Sequence, residues 1–365
     1  MATLYLTADR IGEVSGGGAV THHESLALRD METECYIKGR EQLGNRDDPW
    51  GYDDEAYAQL GGYAQGFSTI SGGVDALVPK TPWKLAHCYA GTFTHTVELL
   101  RKLGCKVTYT AAAHDPEISK REHEALGLSY NYPHLTDPVL WKRYVGGYVA
   151  ADLVICPSKH SADCMRRFGC KNVTIIPHGC DIPATVAKTP LVWTLGYLGT
   201  CGAPDKGVRY LLEAWKKLNY KDAILLLGGR DSTSPWVLNM IRQFGGGNIQ
   251  LTGWLNSVSD FYNRVTWYCQ PSCSEGFGIE VLEAMAHHRP VICSNGAGAV
   301  DLVNESCRFD ACNVEVLIEK IEAARSLEEG KAWVQYNYDI ATKYTWPLIR
   351  QRYLMWWESL MNPSF

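Results

Sequence analysis

Two carboxylates flank a glycine-rich turn in "CSEGFGIEVLEAMAHHRPVICSNGAG", residues 273–298. Glu275 stands on the turn and Glu283 inside the apolar run that follows. A carboxylate within an apolar helix is costly unless a donor reaches it, and the hydroxyls of a polyol are suitable donors. The backbone N–H groups of Gly276, Phe277, Gly278 and Ile279, at the start of that helix, can take an anion between the two acids. Two acids around an anion-binding turn suit a ligand built as sugar, diphosphate and ribose.

A second candidate is "GTCGAPDKGVRYLLEAWKKL", 199–218, in which Lys206 precedes Gly207 and a helix with Val208, Leu211, Leu212 and Trp215 on one face. An ammonium group there can meet phosphate oxygens. The segment is not a Walker loop, since no Ser or Thr follows the lysine and the glycine spacing differs. The third is "EVSGGGAVTHHESLAL", 13–28, where Gly16 and Gly17 let backbone approach an anion ahead of a helical run that starts near Val20. As a dinucleotide fingerprint it fails, because the third glycine would fall at Thr21.

These turns need strands to present them. Apolar, β-branched runs recur at 3–7, 84–89, 106–112, 153–158 and 173–178, then at 194–199, 223–229, 248–253, 265–271 and 290–295. Helical periods separate them, which predicts an α/β protein with two parallel, doubly wound sheets. In such sheets ligands bind beyond the carboxyl ends of the strands, where the glycine turns lie. The proline-containing stretch 177–193 reads as a linker. The expected domains are 1–183, 184–345 and a terminal helical segment, 346–365. In that segment Leu348, Tyr353, Met355 and Trp356 fall at helical spacings. It reads first as a helix packed on a core and second as a peripheral membrane contact, since Trp and Arg together suit an interface. Residues 39–84 are polar and glycine-rich and read as a loop and helix insertion.

Composition narrows the partners. A net charge of −5 over 365 residues argues against a general nucleic-acid binder, because neutralising phosphates needs a basic surface. The 13 cysteines are scattered without a short-loop framework, which predicts that most are buried thiols; Cys269 and Cys273 lack the companions of a zinc site. His22, His23, His287 and His288 read as surface or helix-end residues and not as ligands. The first residues lack a signal-peptide pattern and no apolar run reaches about 18 residues, so the expected setting is cytoplasmic.

The spacing of Glu275 and Glu283 is E-x7-E, and "SEGFGIEVLEAMAHHRPVICSNGAG" resembles the donor-binding signature of retaining GT-B-fold glycosyltransferases, especially family four. "VICPSKHSADCMRRFGCKNVTIIPHGCD", 154–181, resembles the segment of that family ending in P-N-G-x-D, with His178 in place of Asn. "LGYLGTCGAPDKGVRYLLEAW" resembles its strand, KG loop and helix, and "TAAAHDPEIS", 110–119, its loop with a catalytic histidine, here His114. The resemblance implies a GT-B fold: two Rossmann-like domains facing a cleft, acceptor side first and nucleotide-sugar side second, with a C-terminal helix crossing back. It implies retaining transfer from a nucleotide sugar to a hydroxyl acceptor, with no metal and no other cofactor. In that scheme Lys206 faces the departing diphosphate, Glu275 the sugar, Glu283 the ribose, and Gly16 and Gly17 the phosphates, with His114 near the transferred sugar. Thr200 stands where the family often has an arginine, and Arg230 is the candidate replacement. A non-catalytic sugar-nucleotide binder or scaffold subunit is the alternative that Thr200 favours. A dinucleotide oxidoreductase leaves the acidic pair unexplained.

Overall fold

The computed structural model describes residues 2–7, 16–31, 34–38, 83–89, 94–130, 138–325 and 327–362. The chain begins β1 (Ala2–Thr7), α1 (Gly16–Arg29), β2 (Glu34–Lys38), β3 (Trp83–Tyr89), α2 (Thr94–Lys102) and β4 (Lys106–Thr110). It continues α3 (Pro116–Ala125), α4 (Pro138–Ala150), β5 (Leu153–Cys156), α5 (Lys159–Arg167) and β6 (Val173–Ile175). The second series is β7 (Trp193–Leu198), α6 (Val208–Leu218), β8 (Ala223–Gly228), α7 (Pro235–Phe244), β9 (Ile249–Leu251), α8 (Val258–Tyr262) and β10 (Trp267–Gln270). It closes with α9 (Ile279–Ala286), β11 (Val291–Ser294), β12 (Arg308–Phe309), α10 (Val314–Ala324), α11 (Leu327–Ala341) and α12 (Trp346–Met361). The expected insertion over 39–84 lies outside the described residues except at its end, where β3 begins.

The chain divides into two compact units. Residues 1–113, 130–177 and 347–365 form the first; 114–129 and 178–346 form the second. The first holds a six-stranded parallel sheet, β2-β1-β3-β4-β5-β6. Helical crossovers cover its faces, so β5 is buried along its whole length. Cys88, Val107, Tyr109, Val154 and Cys156 form the centre of its core.

A polar network lies within that unit. Glu24 on α1 is 2% exposed and accepts from Tyr5 Oη at 2.7 Å and Tyr353 Oη at 3.0 Å, with His87 Nε2 at 3.3 Å. Burial pushes its carboxyl upward, but His87 and the hydroxyls outweigh that and hold it below its ordinary value. Trp357 Nε1 donates to Thr108 Oγ1 at 3.1 Å, and Tyr353 Oη lies 3.2 Å from Thr110 Oγ1. The buried stripe of α12 runs from Trp346 through Ile349 and Tyr353 to Trp357. This corrects the stripe read from sequence: Leu348, Met355 and Trp356 are exposed, because the side with partners for a tyrosine hydroxyl and an indole N–H is the one that packs. No helix among the described residues is long and apolar enough to cross a membrane.

The second unit holds another six-stranded parallel sheet, β12-β11-β10-β7-β8-β9. Its helix α6 buries Val208, Leu211, Leu212, Ala214 and Trp215, a single apolar face at helical period. The linker is held by Arg289, 2% exposed, which donates from Nε to Tyr262 O at 2.8 Å and from a terminal nitrogen to Ala187 O at 2.9 Å.

Candidate functional site

The second unit gathers its chemistry beyond the carboxyl ends of β7 and β10. After β7 the chain makes a tight turn, Pro204–Lys206, and reverses at Gly207 with φ 70°. A Cβ at Gly207 would collide with the Pro271 carbonyl, so only glycine lets the lysine turn lie against the end of β10. The Asp205 carbonyl accepts from Cys273 N at 2.7 Å and Ser274 N at 3.2 Å, which fastens the two turns together. The Lys206 ammonium then meets the Glu275 carboxylate in an ion pair. With 25% and 17% of the two side chains exposed, the pair is sheltered enough to hold its charges together and open enough to be reached.

Glu275 is positioned by its backbone as well. Its N–H donates to Gly296 O at 2.9 Å and its carbonyl accepts from Gly298 N at 3.1 Å, so the turn after β11 braces it. The chain enters α9 at Gly278, φ 93°, with Phe277 buried against the edge of the His178 ring at 5.3 Å. Helix α9 starts at Ile279, and its first N–H groups have no partner within the helix. On that helix Val281, Leu282, Ala284 and Met285 are buried, while Glu283 accepts from Tyr262 Oη at 3.0 Å. Desolvation pushes the Glu283 carboxyl up to about 8, with the Glu280 and Asp181 charges adding to the rise and the Tyr262 hydrogen bond opposing it.

His114 belongs to this unit and not to the first. Asp115 N donates to Ser274 Oγ at 2.7 Å, and Asp115 caps α3 by accepting from Glu117 N at 3.0 Å. Farther along α3, Glu122 accepts from Tyr210 Oη at 2.8 Å and pairs with Arg209 at 3.4 Å, docking the segment on α6. Desolvation holds the His114 imidazole below its ordinary value; Asp205 pulls upward and Lys206 pushes down. His114, Lys206 and Glu275 are thus brought to one place by Ser274, Asp205 and Glu122, none of which the sequence singles out.

The remaining candidates are placed less centrally. Thr200 is exposed, and its carbonyl accepts from Ala203 N at 3.4 Å. Arg230 is exposed with its guanidinium 4.8 Å from the Trp254 ring centroid. Next to it Asp231 accepts from Cys201 N at 2.9 Å and Gly202 N at 2.7 Å, organising the loop that leads to Lys206. In the first unit Gly16 and Gly17 open α1 and do not precede it, so the helix begins earlier than expected near Val20; residues 8–15 lie outside the described residues. Cys273, read as a lone thiol, is joined to Cys312 in a disulfide. The partner lies 39 residues away in sequence, beyond the reach of a local pattern.

A glycine-braced lysine and acid stand at the strand ends of one of two units, each built on a six-stranded parallel sheet, the place where ligands bind in open α/β sheets. Residues 193–326 match the family Glycosyl transferases group 1, and residues 85–183 match Glycosyltransferase Family 4, so both matched stretches are those of family-four-type glycosyltransferases. It is 27% identical over 152 residues to the capsular polysaccharide biosynthesis glycosyltransferase CapM of Staphylococcus aureus, a match covering 40% of this chain and 40% of that protein. The chain thus spans less than half the length of that relative. Its fold is similar to sucrose-phosphate synthase from Thermosynechococcus elongatus, with TM-score 0.77 at 15% identity over 100% of both chains. It is also similar to Anabaena HepE in complex with UDP and glucose, with TM-score 0.66 at 17% identity, covering 98% of this chain and 100% of that one.

Proposed function

We propose that this protein transfers a glycosyl unit from a nucleotide-diphosphate sugar to a hydroxyl acceptor, with retention of configuration and without a metal ion. The observation that carries the reading is the Lys206–Glu275 pair, held between the two turns that end β7 and β10. In this arrangement the two charges neutralise each other. A ligand that offers a diphosphate to Lys206 and hydroxyls to Glu275 replaces that pair with two separate matches of charge and hydrogen bonding.

During transfer the bond between the sugar's anomeric carbon and the diphosphate oxygen breaks, and negative charge builds on the leaving oxygen. Lys206 stabilises that charge, an interaction stronger in the transition state than in the bound substrate. The N–H groups of Gly276–Ile279 add dipoles of the same sign. The acceptor oxygen forms the new bond on the same face, and its proton passes to the leaving phosphate. Glu275 orients the sugar, Glu283 the ribose, and the neutral His114 imidazole lies beside them as a hydrogen-bonding group for the sugar or acceptor. Leu348, Met355 and Trp356, exposed on α12, offer an apolar surface for contact with a membrane that carries the acceptor.

Thr200 supports a second reading, a sugar-nucleotide binder without transfer, because the position carries no cation. A thermal-shift panel of UDP, GDP and ADP and their sugars, with NAD and pyridoxal phosphate as controls, tests both. A ligand present at a hundred times its Kd stabilises by about 2.7 kcal/mol, a readable shift. Stabilisation by one nucleotide diphosphate and its sugar, followed by transfer across an acceptor panel, is the expected result. Binding with neither transfer nor hydrolysis selects the second reading, and no shift with any nucleotide refutes both.

A further inference from the structure

Cys273 lies two residues before Glu275, and Cys312 lies in the turn between β12 and α10. Their Cα atoms are 5.8 Å apart, within the usual disulfide span of about 4.4–6.8 Å. We propose that the two form a reversible redox couple, a bridge that staples the Glu275 loop when oxidised and frees it when reduced. The ten other cysteines found free among the described residues are all buried, whereas Cys312 is only half-buried and open to a reagent.

The surroundings suit thiol exchange. An Arg121 guanidinium nitrogen lies 3.7 Å from Cys312 Sγ and favours its thiolate. Glu122 Oε1 is also 3.7 Å from that sulfur, but its charge is met by Arg121 at 3.0 Å and Arg209 at 3.4 Å. The same geometry weighs against a cation. Glu122, Cys273 and Cys312 present ligand atoms within 4.8 Å of one another, yet the two guanidinium groups already occupy the carboxylate and repel a metal.

Oxidation requires an acceptor of two electrons, which a low-molecular-weight disulfide such as oxidised glutathione supplies. The Cys312 thiolate attacks one glutathione sulfur, the glutathione S–S bond breaks, and the departing thiolate takes up a proton. Cys273, as its thiolate, then attacks Cys312 Sγ, forming the protein disulfide and expelling the second glutathione thiol. Two protein thiols are oxidised and one glutathione disulfide is reduced to two thiols. Because Cys273 N–H binds the Asp205 carbonyl, the bridge fixes the backbone beneath both Lys206 and Glu275.

The test equilibrates the full chain in glutathione buffers of graded ratio, quenches with acid, alkylates free thiols and maps peptides by mass. The expected result is a 273–312 cross-linked peptide that grows with the oxidised fraction and disappears on return to reducing buffer. A Tm higher by about 5–10 °C in the oxidised state should accompany it and be absent from Cys312→Ser and Cys273→Ser. Full alkylation of both residues at every ratio overturns the proposal. So does a bridge that survives the most reducing ratio, or one equivalent of zinc released from freshly purified protein on thiol modification. None of these readouts uses a sugar donor, so their failure leaves the glycosyl-transfer reading untouched.

Discussion

Glu283 offers the sharpest test of how the ribose is held. Its carboxyl is raised to about 8 by desolvation and the Glu280 and Asp181 charges, so at neutral pH the protonated form is favoured before a nucleotide sugar binds. Ribose hydroxyls donating to it favour the ionised form, so binding a nucleotide sugar must expel a proton. With a free-state value near 8, affinity falls about fiftyfold between pH 8 and pH 6, and about 0.9 proton leaves on binding at pH 7. Isothermal titration calorimetry in buffers of different ionisation enthalpy reads both quantities, using a nucleotide sugar because its diphosphate diester does not titrate in this range. Glu283→Gln keeps an acceptor for Tyr262 and should give a flat profile with no proton exchange. A wild-type protein that binds donor without releasing a proton, or a glutamine variant that keeps the slope, refutes the ribose assignment. Stability gives the same sign independently. The folded value lies above the ordinary 4.5, so the folded state holds an extra proton across that window and loses stability as pH rises from about 4.5 to about 8. The glutamine variant should lack that slope and melt higher than wild type at pH 8.

Lys206→Ala and Glu275→Ala should each lower turnover between about tenfold and a thousandfold with native circular dichroism, and wild-type rates in both would remove them from the site. Gly207→Ala should destabilise by about 3 kcal/mol or more, combining a left-handed backbone with a collision against Pro271; urea denaturation measures it, and wild-type stability would contradict the turn geometry. Trp357→Ala should cost about 3–5 kcal/mol while Trp356→Ala changes stability by less than about 0.5 kcal/mol, and equal losses would contradict the buried stripe described for α12.

Where a signal was local, the sequence was readable. The strands with unbroken apolar runs emerged because parallel strands covered on both faces have no polar positions to interrupt them. β2 and β12 did not: the first is a five-residue edge strand with charged ends, and the second has two residues. Glu275, Glu283 and Lys206 stood out as charges beside glycine turns or within an apolar helix. What holds them did not, because Ser274 and Asp115 meet across 159 residues and Tyr210 and Glu122 across 88. The two tryptophans of α12 show the same limit. Leu348, Met355 and Trp356 make as good an apolar stripe as Ile349, Tyr353 and Trp357, and only the Thr108 and Glu24 partners decide between them.

The assignment of chain to unit has a consequence for synthesis on the ribosome. The path passes from one unit to the other at 113/114, 129/130, 177/178 and 346/347, so neither is a contiguous stretch. Glu24 is translated early, but the Tyr353 hydroxyl that completes its coordination emerges hundreds of residues later. The unit begun first is therefore the last to be finished, and until α12 leaves the exit tunnel the nascent chain carries Glu24 and Thr108 without their α12 partners.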